Sequence, residues 1–375
     1  MRIRNLTPFA QLVFANEDAE GRLFDILIVK QSYHLNREFE LQQSPEQEPL
    51  NFTDRCFGDI NETSLRYPSD LVAYKPATDV IVIADAFAPK GEPATQWQVS
   101  VQIGPVRKSL HVTGPREWQR KLRKWNLTDP EPVLRVALRY ECTYGGEYPG
   151  PDDRIVTDER NPLGSGFVHP EYRSRDEPIP APQILTSGER LDNPFRRLDP
   201  AGIGPIPPAW LPRRPLGGTY DDEWLANTWP HWAKDYDFAF HNSAAEGLKS
   251  KGFLQGDEPV HLTGLHPERH QINFDLPGNP IIARLIDHED WCRSVRLNLD
   301  TIYIDILDAE PEDCLISLTW RLTFLEEQVK WLEIDCAATP NRLCEMTEDQ
   351  QLHPAPHPSE LFPDHSPKEV SEHVQ

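Results

Sequence analysis

The chain has 375 residues, 38% of them hydrophobic and 26% charged, which is the balance of a soluble globular protein with one to three domains. Its formal net charge of −22 disfavours nucleic acid as a partner, because a phosphate backbone would be repelled, and favours basic partners. The 37 prolines, about twice the usual 5% share, argue against long helices and for turns, loops and edge strands.

The first part of the chain is predicted to form β-strands. Residues 11–15 and 22–35 read as two strands around a polar loop, and 23–29 are apolar on both faces, so we expect the second strand at the centre of its sheet. Residues 79–86 predict another buried strand. Residues 133–140 alternate as a half-buried strand should.

The clearest local pattern lies in residues 96–103 and 106–113, where apolar and polar side chains alternate on either side of Gly104-Pro105. This is typical of an antiparallel hairpin, and the missing N–H of Pro105 leaves room for a loop of more than two residues. The basic run 116–124 that follows has two interpretations. It could bind an acidic group, or, as we favour, it is a twisted edge whose lysines deter aggregation.

The stretch from Tyr140 to Phe167 is predicted to be a structural corner. Gly145 and Gly146 permit backbone angles that a side chain would forbid, and 161–164 (Asn-Pro-Leu-Gly) read as a type I turn. Glu141 leads into the corner and is expected to accept backbone N–H groups. No nucleophile lies beside a base here, and the chain carries no recognised catalytic motif, so we expect no catalytic residues and no enzyme.

A long segment rich in proline and glycine, residues 146–218, is predicted to cross over the strands as ordered chain. It carries regularly spaced aromatic residues, which serve as anchors that a disordered linker would not need. A short helix is predicted to begin after Thr219 as its N-cap and to end at Pro230.

Tryptophan and arginine are crowded within and just after this crossing segment. These two residue types dominate the energetics of protein interfaces, so we identify a candidate partner-binding set, although core packing is the commoner role of such tryptophans. The candidates are Trp210, Arg213, Arg214, Trp224 and Trp229.

Two further groups of residues have simpler structural explanations. Four aspartates near the tryptophans could supply the paired carboxylates of a glycosidase, but helix capping explains them equally well and is favoured. They are Asp221, Asp222, Asp235 and Asp237. His261, His266 and His270 lie close together, yet a proline-containing loop does not guarantee the convergence that a metal needs. We therefore expect neither a metal nor a cofactor.

Strands are predicted again in the last third of the chain, and 328–334 form a helix or a final strand. The predicted strands are 260–262, 271–276, 281–286, 295–306 and 314–325. From about residue 339 the chain is polar and lacks periodicity, which predicts a flexible tail whose removal leaves the melting temperature nearly unchanged.

These elements predict a mainly β fold with few short helices. Two antiparallel, sandwich-like sheet units, at 1–145 and 236–338, are expected to be joined by the proline- and glycine-rich segment 146–235 with its short helix. The flexible tail occupies 339–375.

Several of these stretches resemble a known bacterial family. Y-E-C-T-Y-G-G at 140–146, N-P-L-G-S-G-F at 161–167 and Y-P-S-D-L-V-A-Y-K-P-A-T-D at 67–79 resemble motifs of the family called domain of unknown function 2169. The resemblance covers roughly residues 1–335, which implies one integrated domain. The structural motif residues are Pro68, Asp70, Lys75, Tyr140, Glu141, Gly145, Gly146, Asn161, Pro162, Gly164 and Gly166.

The resemblance implies a role in type VI secretion, since the family is associated with chaperones or adaptors of toxic effectors. Such a protein would bind and stabilise an effector toxin in the cytoplasm of a Gram-negative bacterium and help to load it onto the VgrG spike protein or a PAAR-like tip. The alternatives are a carbohydrate-active enzyme or carbohydrate-binding module, and a structural component of the secretion apparatus. Six cysteines without C-x-x-C, and no apolar leader or span, fit a cytoplasmic protein without membrane insertion.

Overall fold

The computed structural model describes residues 1–18, 20–149, 154–169, 177–307, 310–336 and 352–362. Strand residues account for 41% and helical residues for 9%, and several of the sheets are antiparallel. The prediction of a mainly β fold with short helices is confirmed.

Twenty-seven strands are named here in chain order. The first are β1 Arg2–Asn5, β2 Ala10–Glu17, β3 Leu23–Leu35, β4 Leu41–Gln43, β5 Arg55–Cys56, β6 Leu65–Tyr67, β7 Asp79–Ile83, β8 Asp85–Phe87, β9 Gln96–Ile103, β10 Val106–Thr113, β11 Glu117–Lys121, β12 Lys124–Leu127, β13 Arg135–Ala137 and β14 Tyr144–Gly145. The others are β15 Glu147–Pro149, β16 Ile155–Thr157, β17 Ser165–Gly166, β18 Ile179–Pro180, β19 Ile184–Thr186, β20 Pro259–Thr263, β21 Gln271–Asp275, β22 Ile281–Ile286, β23 Cys292–Arg296, β24 Asn298–Asp305, β25 Leu315–Phe324, β26 Trp331–Cys336 and β27 His353–Pro354.

The α-helix found among the described residues is α1, Asp222–Asn227. Its N-cap is Asp221, whose carboxylate accepts a hydrogen bond from the Trp224 N–H at 2.9 Å. The predicted cap, Thr219, instead donates its hydroxyl to Asp235, so the start of the helix was placed too early. Short 3₁₀ turns lie at Pro89–Gly91, Tyr140–Cys142, Arg214–Gly217, Phe238–His241, Pro311–Asp313, Glu326–Gln328 and Pro358–Leu361.

The largest sheet has the order β2-β3-β25-β24-β7, with β4 paired to the end of β3. β3 lies between β2 and β25, as its two apolar faces predicted, and it is buried from Ile26 to Tyr33. Its neighbour β25 contributes Trp320, whose indole N–H donates to the side-chain oxygen of Gln31 at 2.8 Å. The pairing of β24 with β7 is parallel, so this sheet is mixed.

The second large sheet has the order β19-β10-β9-β20-β21 and contains the predicted hairpin. β9 and β10 pair antiparallel from Ile103–Val106 to Gln96–Thr113, which confirms the alternating pattern. The loop contains only Gly104 and Pro105, because Gly104 takes a positive φ of 50° that closes the turn tightly.

The third large sheet has the order β1-β26-β22-β23-β27. The sequence predicts a helix or a final strand at 328–334, and the structure has a strand there, β26. It pairs with β22 on one side and with β1 on the other. Its buried residues Leu332 and Ile334 belong to the main hydrophobic cluster.

Each of the three large sheets combines strands from 1–145 with strands from 236–338. In the first sheet, β25 and β24 from the second range lie between β3 and β7 from the first. One hydrophobic cluster contains buried side chains of all three sheets, among them Leu27, Val99 and Ile334. The two ranges are therefore interleaved in one core.

Three predicted strands have different bounds in the structure. The run 79–86 divides into β7 and β8, which belong to different sheets, and 295–306 divides between β23 and β24. Within 133–140 only β13 is a strand, and Tyr140 begins a 3₁₀ turn. Residues 79–86 are apolar almost throughout, and in 133–140 and 295–306 the alternation continues across the break, so sequence periodicity could not locate these breaks.

Residues 352–362, which we call the strap, pack on the body. Two of them form β27, which pairs in parallel with the edge of β23. The hydroxyl of Thr323 donates to the Pro356 carbonyl at 2.8 Å, and the ring of His357 lies 4.8 Å from that of Tyr74.

The end of the strap is held by apolar contacts. Leu361 and Phe362 pack against a cluster formed by Phe24, Ile26 and their neighbours, and the guanidinium of Arg22 lies 4.4 Å from the Phe362 ring. The prediction of a flexible tail is wrong for this segment, since isolated apolar residues without periodicity can dock on a distant surface. The rest of the predicted tail lies outside the described residues.

Candidate functional site

Trp210 and Arg213, two of the predicted partner-binding residues, belong to the interior. Trp210 is buried and its ring meets that of Tyr140 edge-on at 5.4 Å. Arg213 is also buried, and it donates to the carbonyls of Phe240, at 2.9 Å, and Ile206. Their assignment as contact residues is corrected, because their side chains fasten the crossing segment to the body.

The other three candidates lie nearer the surface. Arg214 is half exposed and forms an ion pair with Glu159 at 3.0 Å. Trp224 is half-buried, whereas Trp229 is 64% exposed. The same short segment also exposes Tyr220 and Leu225, at 51% and 59%.

We call residues 220–231 the aromatic turn. The Trp224 indole N–H donates to the His231 carbonyl at 3.0 Å, and its ring meets that of Tyr220 edge-on at 4.8 Å. The His231 ring nitrogen lies 3.1 Å from the Glu17 carboxylate at the end of β2. These contacts fix a short segment that exposes apolar side chains.

Acidic side chains surround the aromatic turn. Asp221, Asp222 and Glu223 stand at the start of α1, and hydrogen bonds from Thr219 lower the pKa of Asp235 below its ordinary value. The surface thus combines exposed apolar groups with negative charge, a combination that suits an apolar, basic partner.

The structural motif residues form a second centre, at the corner between Tyr140 and Gly166. The Asn161 side-chain amide donates to the carbonyls of Tyr140, at 2.8 Å, and Tyr144, at 3.1 Å, and to the Thr143 hydroxyl at 2.8 Å. The Gly164 N–H donates back to the Asn161 carbonyl at 3.3 Å, across the predicted turn at Pro162. One buried residue, Asn161, therefore holds both ends of the corner, one through its side-chain amide and the other through its backbone carbonyl.

The glycines of this corner are required by space as well as by backbone angle. Gly145, Gly146 and Gly166 have φ values of 149°, 110° and 90°. A Cβ on Gly145 would lie 2.2 Å from the Asn161 carbonyl oxygen, and one on Gly164 would lie 2.5 Å from the Asn161 amide nitrogen. Any side chain at these positions would displace the asparagine that closes the corner.

Glu141 accepts a backbone N–H, as predicted, but the N–H belongs to a distant residue. The Ser64 N–H donates to the Glu141 carboxylate at 2.9 Å, and the Ser64 hydroxyl donates to it as well. The Tyr140 N–H in turn donates to the Ser64 hydroxyl at 2.9 Å. Glu141 thus joins the corner to the segment before β6.

The remaining motif residues hold a buried polar network. Lys75 donates to the Asp79 carboxylate at 2.9 Å, and Asp79 also accepts from the N–H groups of Ser243 and Ala244. Asp70 accepts from Lys30 at 3.0 Å, and with Pro68 it lines a cavity of about 320 Å³. This network connects residues that are more than 160 positions apart in the chain.

A family model described as "Uncharacterized protein conserved in bacteria (DUF2169)" matches residues 20–321. The chain belongs to this family. No match was found among curated proteins or among solved structures. The DUF2169 match contains the motifs at 67–79, 140–146 and 161–167, and the family recognised from them is confirmed.

Several DUF2169 motif residues thus have structural contacts, whereas three of the four aspartates considered for a carbohydrate site act as hydrogen-bond acceptors for the backbone. Asp221 caps α1, Asp237 caps the 3₁₀ turn Phe238–His241, and Asp235 accepts from the Thr219 N–H.

In the described part of the chain, no group of three or more potential ligands is placed to hold a metal ion. None of the helices in that part has the length and apolar character needed to cross a membrane.

Tyr220 and Leu225 were missed by the sequence reasoning, which considered only tryptophan and arginine. Leu225 lies in α1, and Trp229 follows two residues after the end of that helix; both side chains are exposed. No local pattern distinguishes Leu225 from a core leucine, because its exposure is decided by tertiary packing.

Proposed function

We propose that this DUF2169 protein is a type VI secretion effector chaperone or adaptor. It binds and stabilises a toxic effector in the cytoplasm of a Gram-negative bacterium and helps to load it onto the VgrG spike protein or a PAAR-like tip. It acts by binding rather than by catalysis. The family membership supports this proposal through the association of that family with effector loading.

The observation that carries the proposal is the aromatic turn. Tyr220, Leu225 and Trp229 each expose half or more of their surface within ten residues of chain. Clustered exposed apolar groups with a polar rim mark protein-binding surfaces, and tryptophan and tyrosine are enriched among the residues that dominate binding energy.

Charge favours the same kind of partner. The net charge of −22 and the acids around the aromatic turn would accelerate the encounter with a basic effector region. Association should therefore slow as salt is raised, because the Debye length falls from about 10 Å at 0.1 M to about 3 Å at 1 M.

The first experiment deletes the gene for this protein in a strain in which a toxin gene lies next to it. Without it, the toxin should fall in abundance or fail to leave the cell, while the secretion machine still exports other cargo. Loss of all export would instead indicate a structural component of the apparatus. Normal toxin abundance and export would end the adaptor proposal.

A second experiment locates the contact by pull-down of the co-expressed toxin. Trp229→Ser and Leu225→Ser should each weaken toxin binding by about tenfold or more, since burial of such a side chain stabilises by about 1.5–3 kcal/mol. The melting temperature should be unchanged because both side chains are exposed.

The matched control is Leu134→Ser, which changes an equally exposed leucine in another part of the chain and should leave toxin binding intact. Trp210→Ala should lower the melting temperature, because Trp210 is buried. If both Trp229→Ser and Leu225→Ser bound the toxin as the wild type does, the aromatic turn would be excluded as the contact. That conclusion would hold whether or not removal of the protein from the strain affected toxin export.

A further inference from the structure

A second exposed element lies in the hairpin formed by β11 and β12. The two strands pair from Trp118–Leu127 to Lys121–Lys124, so the loop contains only Leu122 and Arg123. Leu122 is 98% exposed, the highest exposure among the large apolar side chains of the described residues. We call residues 121–124 the basic tip.

The backbone of the basic tip is unfavourable for its sequence. Leu122 and Arg123 have φ values of 50° and 66°. Two-residue hairpin loops with two positive φ angles strongly prefer Asn-Gly or similar pairs, because a bulky side chain is strained in this conformation. Such strain at an exposed position calls for an explanation in function rather than in folding.

The charges of the basic tip are also unfavourable. Lys121 and Lys124 stand directly opposite each other, and like charges in that position destabilise a strand pair. Neither lysine forms an ion pair with any described residue, and the same holds for Arg123. Three positive charges without an ion pair to any described residue thus surround one exposed leucine on a protein of net charge −22.

The base of the hairpin is anchored. Trp118 is buried in a cluster with Ile179, and the ring of Trp125 meets that of Phe195 edge-on at 5.9 Å. The hairpin therefore presents its tip from a packed base. An anti-aggregation edge accounts for the lysines, but it gains nothing from a leucine at the most exposed position.

We propose that the basic tip is a docking element for an acidic protein segment that offers an apolar contact to Leu122. Carboxylates on the partner would relieve the repulsion between Lys121 and Lys124, and burial of Leu122 would supply apolar contact. A localised acidic segment fits better than a membrane or a nucleic acid, because an extended polyanion would also face the acidic remainder of the protein. This proposal does not depend on the adaptor function.

The test measures binding of the full chain to a fluorescently labelled peptide in which glutamates flank a Leu-Phe pair. Fluorescence anisotropy at low salt should show binding that weakens as salt is raised. Leu122→Ser should weaken binding by about tenfold or more, the effect expected for loss of one buried leucine. A peptide with lysines in place of the glutamates should not bind at this site.

The decisive variant combines Leu122→Asn with Arg123→Gly. These residues suit positive φ, so the melting temperature should stay equal or rise while peptide binding is lost. Leu134→Ser is the control for a general loss of apolar surface, and Trp229→Ser should bind the peptide as the wild type does.

Three results would overturn the proposal. They are absence of peptide binding at low salt, equal binding by wild type and Leu122→Ser, and tighter binding of heparin or phosphatidylserine vesicles than of the acidic peptide. The last result would assign the tip to a polyanion or a lipid surface. Retention of toxin binding by the double variant would show that the tip and the aromatic turn serve different partners.

Discussion

At the scale of single residues, Asn161 holds the corner between Tyr140 and Gly166 together through several hydrogen bonds. Its side-chain amide nitrogen makes three hydrogen bonds to the chain between Tyr140 and Tyr144. Its backbone carbonyl accepts from the Gly146 N–H at 2.8 Å. Asn161 is fully buried. Removal of the amide would leave the Tyr144 carbonyl without this donor, whereas the Tyr140 carbonyl would still accept from the N–H and the hydroxyl of Thr143, both at 3.0 Å. An unsatisfied buried carbonyl costs more than its hydrogen bond contributes.

Asn161→Ala should therefore lower the free energy of unfolding by about 2–4 kcal/mol, because it removes three hydrogen bonds of a buried side chain and leaves the Tyr144 carbonyl unsatisfied. Urea denaturation measures this change. Asn126→Ala is the matched control, since Asn126 is exposed and its amide makes a single bond to the Lys124 carbonyl. It should cost less than about 0.5 kcal/mol. Equal effects of the two variants would contradict the role assigned to Asn161.

His241 gives a second prediction at this scale. Burial and the nearby cations Arg321, Lys75 and Arg213 lower the pKa of His241 from 6.5 to about 3. The unfolded chain therefore binds one more proton than the folded chain between about pH 6.5 and pH 3. The stability contributed by neutral His241 is present above pH 6.5 and is lost as pH falls through this window.

His241→Gln cannot titrate, so its stability should fall less steeply on acidification than that of the wild type. The difference between the two slopes should approach about 1.4 kcal/mol per pH unit at most. Urea unfolding at a series of pH values between 7 and 4 measures it. Parallel pH profiles for wild type and variant would show that His241 is protonated in the folded state.

At the scale of elements, the strap shows how a segment without periodicity can contribute to stability. It adds β27 to the edge of β23 and then places Leu361 and Phe362 on the cluster that contains Phe24. Partial burial of two large apolar side chains is worth about 1 kcal/mol each. No local pattern predicted this docking, because the surface that receives the strap is assembled from β2, β3 and the crossing segment.

Truncation after Asp335 removes the strap and should lower the free energy of unfolding by about 2 kcal/mol or more. Truncation after Phe362 is the matched control and should leave it nearly unchanged if the stabilising contacts reside in the strap. Phe362→Ala should reproduce part of the loss within the full chain. Thermal unfolding followed by circular dichroism compares the three proteins, and equal melting temperatures would refute the strap contacts.

At the scale of the whole molecule, the sheets are interleaved along the chain. β3 and β7 of the first sheet are separated by β25 and β24, which come more than 200 residues later in the sequence. The buried pair Lys75–Asp79 extends this connection, since Asp79 also accepts hydrogen bonds from Ser243 and Ala244. The core therefore cannot form from either end of the chain alone.

A fragment of residues 1–145 should accordingly be unfolded, although it contains more than ten of the strands. Its two-dimensional ¹H–¹⁵N spectrum should lack dispersion and its thermal unfolding should lack a cooperative transition. The chain from 1 to 362 is the positive control and should show a dispersed spectrum and a cooperative transition. A dispersed spectrum from the isolated fragment would mean that the first range is an independent domain.

Features that depend on neighbouring residues could be predicted from the sequence. It predicted the β-rich class, the hairpin of β9 and β10, the turn from Asn161 to Gly164 and the family, because side-chain alternation and turn residues are local signals. The tertiary structure decided the rest. It made β7 a parallel partner of β24, divided the apolar runs between sheets, and buried Trp210 while it left Trp229 exposed. The physical reason is that strand pairing and burial arise from contacts between residues far apart in sequence, and a local pattern carries no information about which distant surface will meet it.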